Sequence, residues 1–173
     1  MKSDGPKVWE HPIMLGAAKV SEVVVTTFFT ALVFGFYVAH YVMSTGFFTS
    51  SFTPLLAGVF YTSVLWTIVN VSFKAVTPRK DIVALVEFVG SLLFAVSAAW
   101  FFVAFPLNFA HVADVVPGSL QFLFTWLTND IGRILVALVF VASIIALAVN
   151  AVKLAWRVSV RQIRSVHEAP YGV

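Results

Sequence analysis

Four long apolar stretches account for most of this 173-residue chain, and they constrain its fold more than any other feature. They cover residues 20–43, 54–73, 82–105 and 133–152. Each is about 20 residues or longer, the length that crosses the hydrocarbon core of a bilayer as a helix. Segments in lipid must satisfy their own backbone hydrogen bonds, which favours helices. The sequence therefore predicts an all-α integral membrane protein, a four-transmembrane-helix bundle that occupies residues 1–173 as a single transmembrane domain.

The composition supports this prediction and leaves no room for a separate soluble domain. Hydrophobic residues make up 60% of the chain and charged residues 11%, whereas soluble domains carry roughly 25% charged residues. The basic residues flank the apolar stretches, so the net charge of +3 indicates membrane orientation, and no nucleic-acid partner is expected. The chain has no cysteine, which excludes disulfides, thiolate metal sites and thiol nucleophiles.

The distribution of lysine and arginine predicts the orientation of the chain. These residues are concentrated in the N-terminal segment, in the connector between the second and third stretches, and in a basic tail over residues 153–173. They include Lys2, Lys7, Lys19, Lys74, Arg79, Lys80, Lys153, Arg157, Arg161 and Arg164. The opposite loops contain no Lys or Arg before Arg133. Because basic residues are retained on the cytoplasmic side, both termini are predicted to be cytoplasmic, with the chain in the cell membrane.

A shorter apolar segment precedes the fourth stretch. Residues 119–127 are too few to cross a bilayer and include Trp126, a side chain that favours the membrane–water interface. They predict a short interfacial helix. A continuous helix from this segment onward would be longer than the bilayer is thick, so a bend is expected near residues 129–132. At the start of the fourth span, Arg133 is expected to pair with Asp130 at helical spacing.

Charged and amide residues are predicted to form a layer near the inner edge of the hydrocarbon. Counting about 20 residues inward from the outer end of each span reaches four charges of alternating sign. With two amides on the same faces, the predicted layer consists of Glu22, Asn70, Lys74, Glu87, Asn150 and Lys153. One interpretation is an ion-pair layer in which Glu22 and Glu87 face Lys74 and Lys153. The alternative is an ion or proton path with Glu87 and Asn70 as binding groups; the ion-pair layer is favoured because charges at the interface can snorkel.

Two histidines near the outer ends of the spans suggest a different kind of site. His40 ends the first span, and His111 and Asp114 follow the third. Two histidines at matched depth can ligate a haem, and Asp114 would complete a copper or zinc site. His111 lies in a loop, which argues against matched depth. Interfacial histidines bonded to backbone or water are therefore favoured, and the sequence requires no cofactor.

No motif in the chain identifies a reaction. We expect a non-catalytic accessory or scaffold subunit of a larger membrane complex, respiratory or otherwise engaged in electron transfer. Its partners would be the lipid bilayer and other membrane subunits. A second hypothesis is a small homo-oligomeric channel or transporter with its polar stripe around Asn70 and Glu87. A third is a haem- or metal-binding membrane subunit that uses His40 and His111.

Overall fold

The computed structural model describes residues 11–168, with side chains described at 19–160 and 162. Within that part of the chain every element is helical, as predicted. The long helices are α1 (His11–Val42), α2 (Pro54–Val76), α3 (Lys80–Ala104) and α4 (Asn129–Glu168). Each contains a segment long and apolar enough to cross a membrane, which confirms the four spans of a multi-pass membrane protein. Lys2 and Lys7, used to predict the orientation, lie outside the described residues.

The four long helices form an open row in chain order. α1 packs on α2, α2 on α3 and α3 on α4, and no other two of these helices approach each other within the described part of the chain. The contact between α3 and α4 is the most extensive. The short connection over residues 77–79 favours α2 and α3 as neighbours, whereas α3 and α4 pack together although residues 105–128 separate them. The predicted bundle is therefore open, with α1 and α4 as its two free edges.

The helix boundaries differ from the predicted spans mainly at the two ends of the chain. α1 begins at His11, well before residue 20, and has Pro12 in its first turn. A proline is tolerated there because the N–H that it lacks would have no hydrogen-bond partner within the helix. α4 begins at Asn129, earlier than residue 133, and continues to Glu168, so most of the predicted basic tail is helical. Hydropathy marks where a helix leaves the lipid, whereas α4 itself continues because residues 153–168 contain no Gly or Pro.

The segment before α4 is a 3₁₀ helix over Gly118–Phe124, where a helix over residues 119–127 was predicted. Residues 125–128, which are not helical, separate it from α4. The helical path is therefore interrupted before Asn129, and the chain does not bend over residues 129–132 as predicted. The break is stabilised at Thr128, whose hydroxyl accepts a hydrogen bond from the Ile131 amide at 3.4 Å. A side-chain acceptor at this position caps a helix N-terminus.

The best-packed part of the molecule lies where the α1–α2 and α3–α4 loops meet, and we call it the loop-end core. Its buried side chains are Phe47, Phe52, Leu56, Phe101, Leu107 and Val112. Backbone hydrogen bonds join the two loops, from the Asn108 amide to the Phe47 carbonyl at 2.7 Å and from the Thr49 amide to the Pro106 carbonyl at 2.9 Å. The two loops therefore close one end of the row together.

Two glycines allow close approach between elements. A Cβ atom at Gly90 of α3 would lie 2.5 Å from Cδ1 of Trp66 on α2, so only glycine fits beneath the indole. The Trp66 Nε1 donates to the Val86 carbonyl at 3.3 Å, which fixes the ring on α3. A Cβ at Gly132 would likewise overlap the ring of Phe109. These contacts hold α3 against α2, and the start of α4 against the preceding loop.

Candidate functional site

Part of the predicted charged layer is an ion pair between the first two helices. The Lys74 Nζ lies 3.1 Å from the Glu22 Oε1, and both side chains are 49% exposed. Lys74 is in the last turn of α2, where a positive charge also interacts favourably with the helix dipole. The pair joins α1 to α2 at the end of the row opposite the loop-end core.

A second polar contact lies two helical turns from this pair, along the same line between α1 and α2. The Thr67 hydroxyl donates to the Val64 carbonyl at 2.6 Å, and its oxygen lies 3.0 Å from the buried Thr30 hydroxyl. Because the Thr67 proton is already used, Thr30 is the donor to Thr67. Such interhelical hydrogen bonds are a common means of joining helices in membranes.

The amide of Asn70 stands out within this polar line. Its Oδ1 is buried and has no hydrogen-bond partner among the described residues. A buried acceptor without a partner costs about 1–3 kcal/mol. Glu87, on the neighbouring α3, makes no hydrogen bond or ion pair with any residue whose side chain the structure describes. These are the two residues that the channel hypothesis selected.

The remaining members of the predicted layer do not complete it. Lys153 donates to Asn150 of its own helix at 3.4 Å. No ion pair joins it to Glu87 within the described chain, although the sequence interpretation placed them face to face. The Lys153 side chain is exposed. The structure brings together Glu22 with Lys74 and Asn150 with Lys153, and leaves Glu87 apart.

His40 is buried in the loop-end core, with only 1% of its surface exposed. Its Nε2 lies 3.3 Å from the Val112 carbonyl oxygen, which can only accept, so Nε2 carries the proton. Its Nδ1 therefore accepts from the Thr45 hydroxyl at 2.6 Å. The Thr45 oxygen accepts in turn from the Phe47 amide at 3.4 Å. Both ring nitrogens are engaged, and coordination of a metal or haem iron by His40 would require the bond to Thr45 to break.

His111 lies in the α3–α4 loop and pairs with Asp114. Its Nδ1 is 2.8 Å from the Asp114 Oδ2, and the two side chains are 41% and 43% exposed. Within the described residues, no group of three or more His, Asp or Glu side chains is arranged to hold a metal ion. The haem, copper or zinc site at His40, His111 and Asp114 stays a prediction, and the dyad of His111 with Asp114 is the part of it that the structure assembles.

The loop-end core was not predicted from the sequence, in which residues 44–53 form a short, uncharged loop rich in turn formers and phenylalanine. Phe47 is 1% exposed, and its ring contacts His40 with centroids 4.4 Å apart. The available signal was an uncharged loop with three phenylalanines in ten residues, too apolar for a solvated connector.

Arg133 also differs from expectation, because its guanidinium lies 5.1 Å from the centre of the Phe105 ring, a cation–π contact.

Several polar groups of the described chain thus join one segment to another. The line between α1 and α2 holds two helices together, and the bonds of His40 hold α1 to both loops. The Asn70 amide oxygen and Glu87 have no such bond among the described residues, and the buried hydroxyls of Thr49 and Tyr61 also lack a partner there. No family model matches the chain, and neither a curated protein nor a solved structure is significantly similar to it.

Proposed function

We propose that the protein is a non-catalytic accessory or scaffold subunit of a larger membrane complex, with electron-transfer complexes as the first class to examine. The open row of helices is the observation that carries this proposal. In an 18-residue apolar segment of each span, only 11% of the α1 segment and 6% of the α4 segment are buried within the chain, against 22% for α2 and for α3. A row with two free edges offers neighbouring subunits much more surface than a closed bundle of the same helices would.

The outward face of α4 is the surface we expect a partner subunit to cover. It is a broad, uncharged surface of branched aliphatic side chains. Its exposed members include Ile134, Leu138, Val141, Ile145, Val149 and Val152. In a membrane such faces contact lipid or protein, and protein contact is favoured where small residues let backbones approach. Ala142 and Ala146, both exposed on α4, provide this opportunity.

The orientation and cellular location belong to the same proposal. The ion pair of Glu22 with Lys74 and the connector with Arg79 and Lys80 lie at one end of the row, opposite the loop-end core. This arrangement supports cytoplasmic termini in the cell membrane, with the loop-end core on the outer side. The 3₁₀ segment Gly118–Phe124, which exposes Phe122 at 64%, then lies at the outer interface.

Gentle detergent extraction followed by mass spectrometry tests the accessory function. We expect stoichiometric co-purification of larger membrane subunits, and loss of these subunits when Ala146→Trp places a bulky ring on the free face of α4. Leu65→Trp, at an exposed position of the inner helix α2, is the matched control and should retain the partners. A chain that purifies alone as a symmetric ring and conducts ions in liposomes would overturn the proposal.

A second candidate function, a homo-oligomeric channel or transporter, is favoured by the buried Asn70 amide oxygen, which has no hydrogen-bond partner among the described residues. In this case copies of the row would associate through their free edges, and Asn70 and Glu87 would line the path. Reconstituted protein should then carry an ion flux that Asn70→Leu abolishes. Thr30→Val, which removes a polar group already bonded to Thr67, should leave the flux intact.

A further inference from the structure

A groove opens between the start of α3 and the far part of α4, at the end of the row opposite the loop-end core. It has a volume of about 530 Å³. Ile82, Leu85, Leu154 and Val158 form its apolar walls. Asp81 and Arg157 provide its charges. The groove therefore combines walls suited to hydrocarbon with one anion and one cation.

The two charges share the groove without neutralising each other. Asp81 lies in the first turn of α3 and Arg157 on α4, and neither takes part in an ion pair between described residues. Opposite charges that lie apart at one opening are complementary to a ligand that is itself dipolar. A phosphate group matches the guanidinium, which binds it through two parallel hydrogen bonds. A primary ammonium matches the carboxylate.

The position of the groove suits a lipid. Arg157 follows Trp156, whose ring is 72% exposed and is the kind of side chain that lies at the membrane–water interface. The walls on the membrane side of Arg157, Leu154 on α4 and Leu85 on α3, are positioned to contact an acyl chain. Burial of apolar surface by such a chain contributes about 25 cal/mol per Å².

We propose that this groove binds one phospholipid of the phosphoethanolamine class. Arg157 binds the phosphate, Asp81 accepts hydrogen bonds from the ammonium, and one acyl chain lies along the apolar walls. A purely anionic headgroup is disfavoured because Asp81 repels it. A trimethylated ammonium is disfavoured because it has no N–H to donate. The inference is independent of the accessory function, since it concerns only residues of this chain and the bilayer around it.

Native mass spectrometry of the full-length protein tests the lipid preference. The protein is equilibrated with equal amounts of phosphatidylethanolamine, phosphatidylcholine and phosphatidylglycerol of the same acyl composition. We expect phosphatidylethanolamine to be retained about tenfold more than the other two, the difference made by one charge-assisted hydrogen bond. Asp81→Asn should remove this preference and raise retention of phosphatidylglycerol. Arg157→Gln should lower retention of all three lipids.

Two further variants separate a specific site from general electrostatic attraction. Arg79→Gln changes a charge two residues from Asp81 that does not line the groove, and should leave the preference unchanged. The exchange Asp81→Arg with Arg157→Asp reverses the dipole and should restore part of the preference lost in the single variants. Equal retention of the ethanolamine and choline lipids by the native chain would overturn the proposal. So would a preference for phosphatidylglycerol that Arg79→Gln reduces.

Discussion

The ring of His40 is joined to the backbone of Val112 by a hydrogen bond of 3.3 Å from Nε2 to the carbonyl oxygen. On its other side the ring accepts from Thr45 at 2.6 Å. One buried side chain thus connects the end of α1 to the α1–α2 loop and to the α3–α4 loop. A histidine in an apolar stretch is explained by these bonds, because each of its polar atoms has a partner within the fold.

Replacement of His40 by phenylalanine should destabilise the protein by about 2–4 kcal/mol, because the Val112 carbonyl and the Thr45 hydroxyl lose their partner in a buried place. The ring volume is nearly kept, so the effect reports the hydrogen bonds. Unfolding in mixed micelles, followed by tryptophan fluorescence, measures it. His111→Phe, at a side chain 41% exposed, should change the free energy of unfolding by less than about 0.5 kcal/mol. Equal losses in the two variants would contradict this role of His40.

Alanine at Gly90 should force α2 and α3 apart, because the new Cβ would lie 2.5 Å from the Trp66 ring. Overpacking of this kind costs about 1–3 kcal/mol. Gly58→Ala in α2 is the matched control, since a Cβ there meets nothing within 4 Å. The control should be neutral or stabilising by up to about 1 kcal/mol. The same micelle unfolding experiment compares them, and a shift in the Trp66 emission should accompany only the Gly90 variant.

The four spans could be predicted because hydropathy depends on composition along the chain alone, as in the run that surrounds Phe140. The proximity of Glu22 and Lys74 could be inferred from the sequence for a similar reason, since the depth of a residue in the bilayer follows from counting along each helix. The order of the helices in the row could not be predicted, because it depends on how side chains of neighbouring helices fit together, as the Trp66 ring fits over Gly90. No periodicity in the sequence encodes that fit.

The loop-end core shows a second limit of the sequence. Phe47 and Leu107 lie sixty residues apart, and the β-bridge between Phe48 and Leu107 pairs two segments that look like connectors. Their apolar residues occur in short runs without a repeating pattern, so no periodic signal in the sequence marks them as core residues. The extension of α4 was missed for another reason, because the expected end of the span was taken as the end of the helix.

Removal of the Thr30 hydroxyl should have a small effect. Thr30→Val keeps the shape of the side chain and removes its donation to Thr67. Interhelical hydrogen bonds in membrane proteins average about 0.6 kcal/mol, and the loss should be close to this. Thr27→Val, three residues away on α1 and without a hydrogen bond to another helix among the described residues, is the control. A loss above about 2 kcal/mol would mean that Thr30 stabilises more than this single contact.

The ion pair of Glu22 with Lys74 should couple the two residues only weakly. Both side chains are half exposed, and exposed pairs are worth about 0.2–1 kcal/mol. A double-mutant cycle with Glu22→Gln and Lys74→Met isolates the coupling from the effect of each change alone. The coupling should fall further in high salt, since exposed charges are screened. A coupling of several kcal/mol would show that the pair is buried in the assembled protein.

Disulfide crosslinking should distinguish the open row from a closed bundle. The chain has no cysteine, so each introduced pair is the only one present. Cysteines at positions 30 and 67 should crosslink on oxidation, because the hydroxyl oxygens of Thr30 and Thr67 lie 3.0 Å apart. Cysteines at positions 28 and 144, at similar depth on α1 and α4, should not crosslink within one chain, because these helices make no contact.

The readout of this experiment is the intact mass after alkylation of the remaining thiols. The pair at 30 and 67 should lose both alkylation sites after oxidation, whereas the pair at 28 and 144 should keep them. A crosslink between two chains doubles the mass and is thereby distinguished from one within a chain. A monomeric disulfide between positions 28 and 144 would place α1 beside α4 and close the bundle. That result would also remove the free edges on which the accessory function rests.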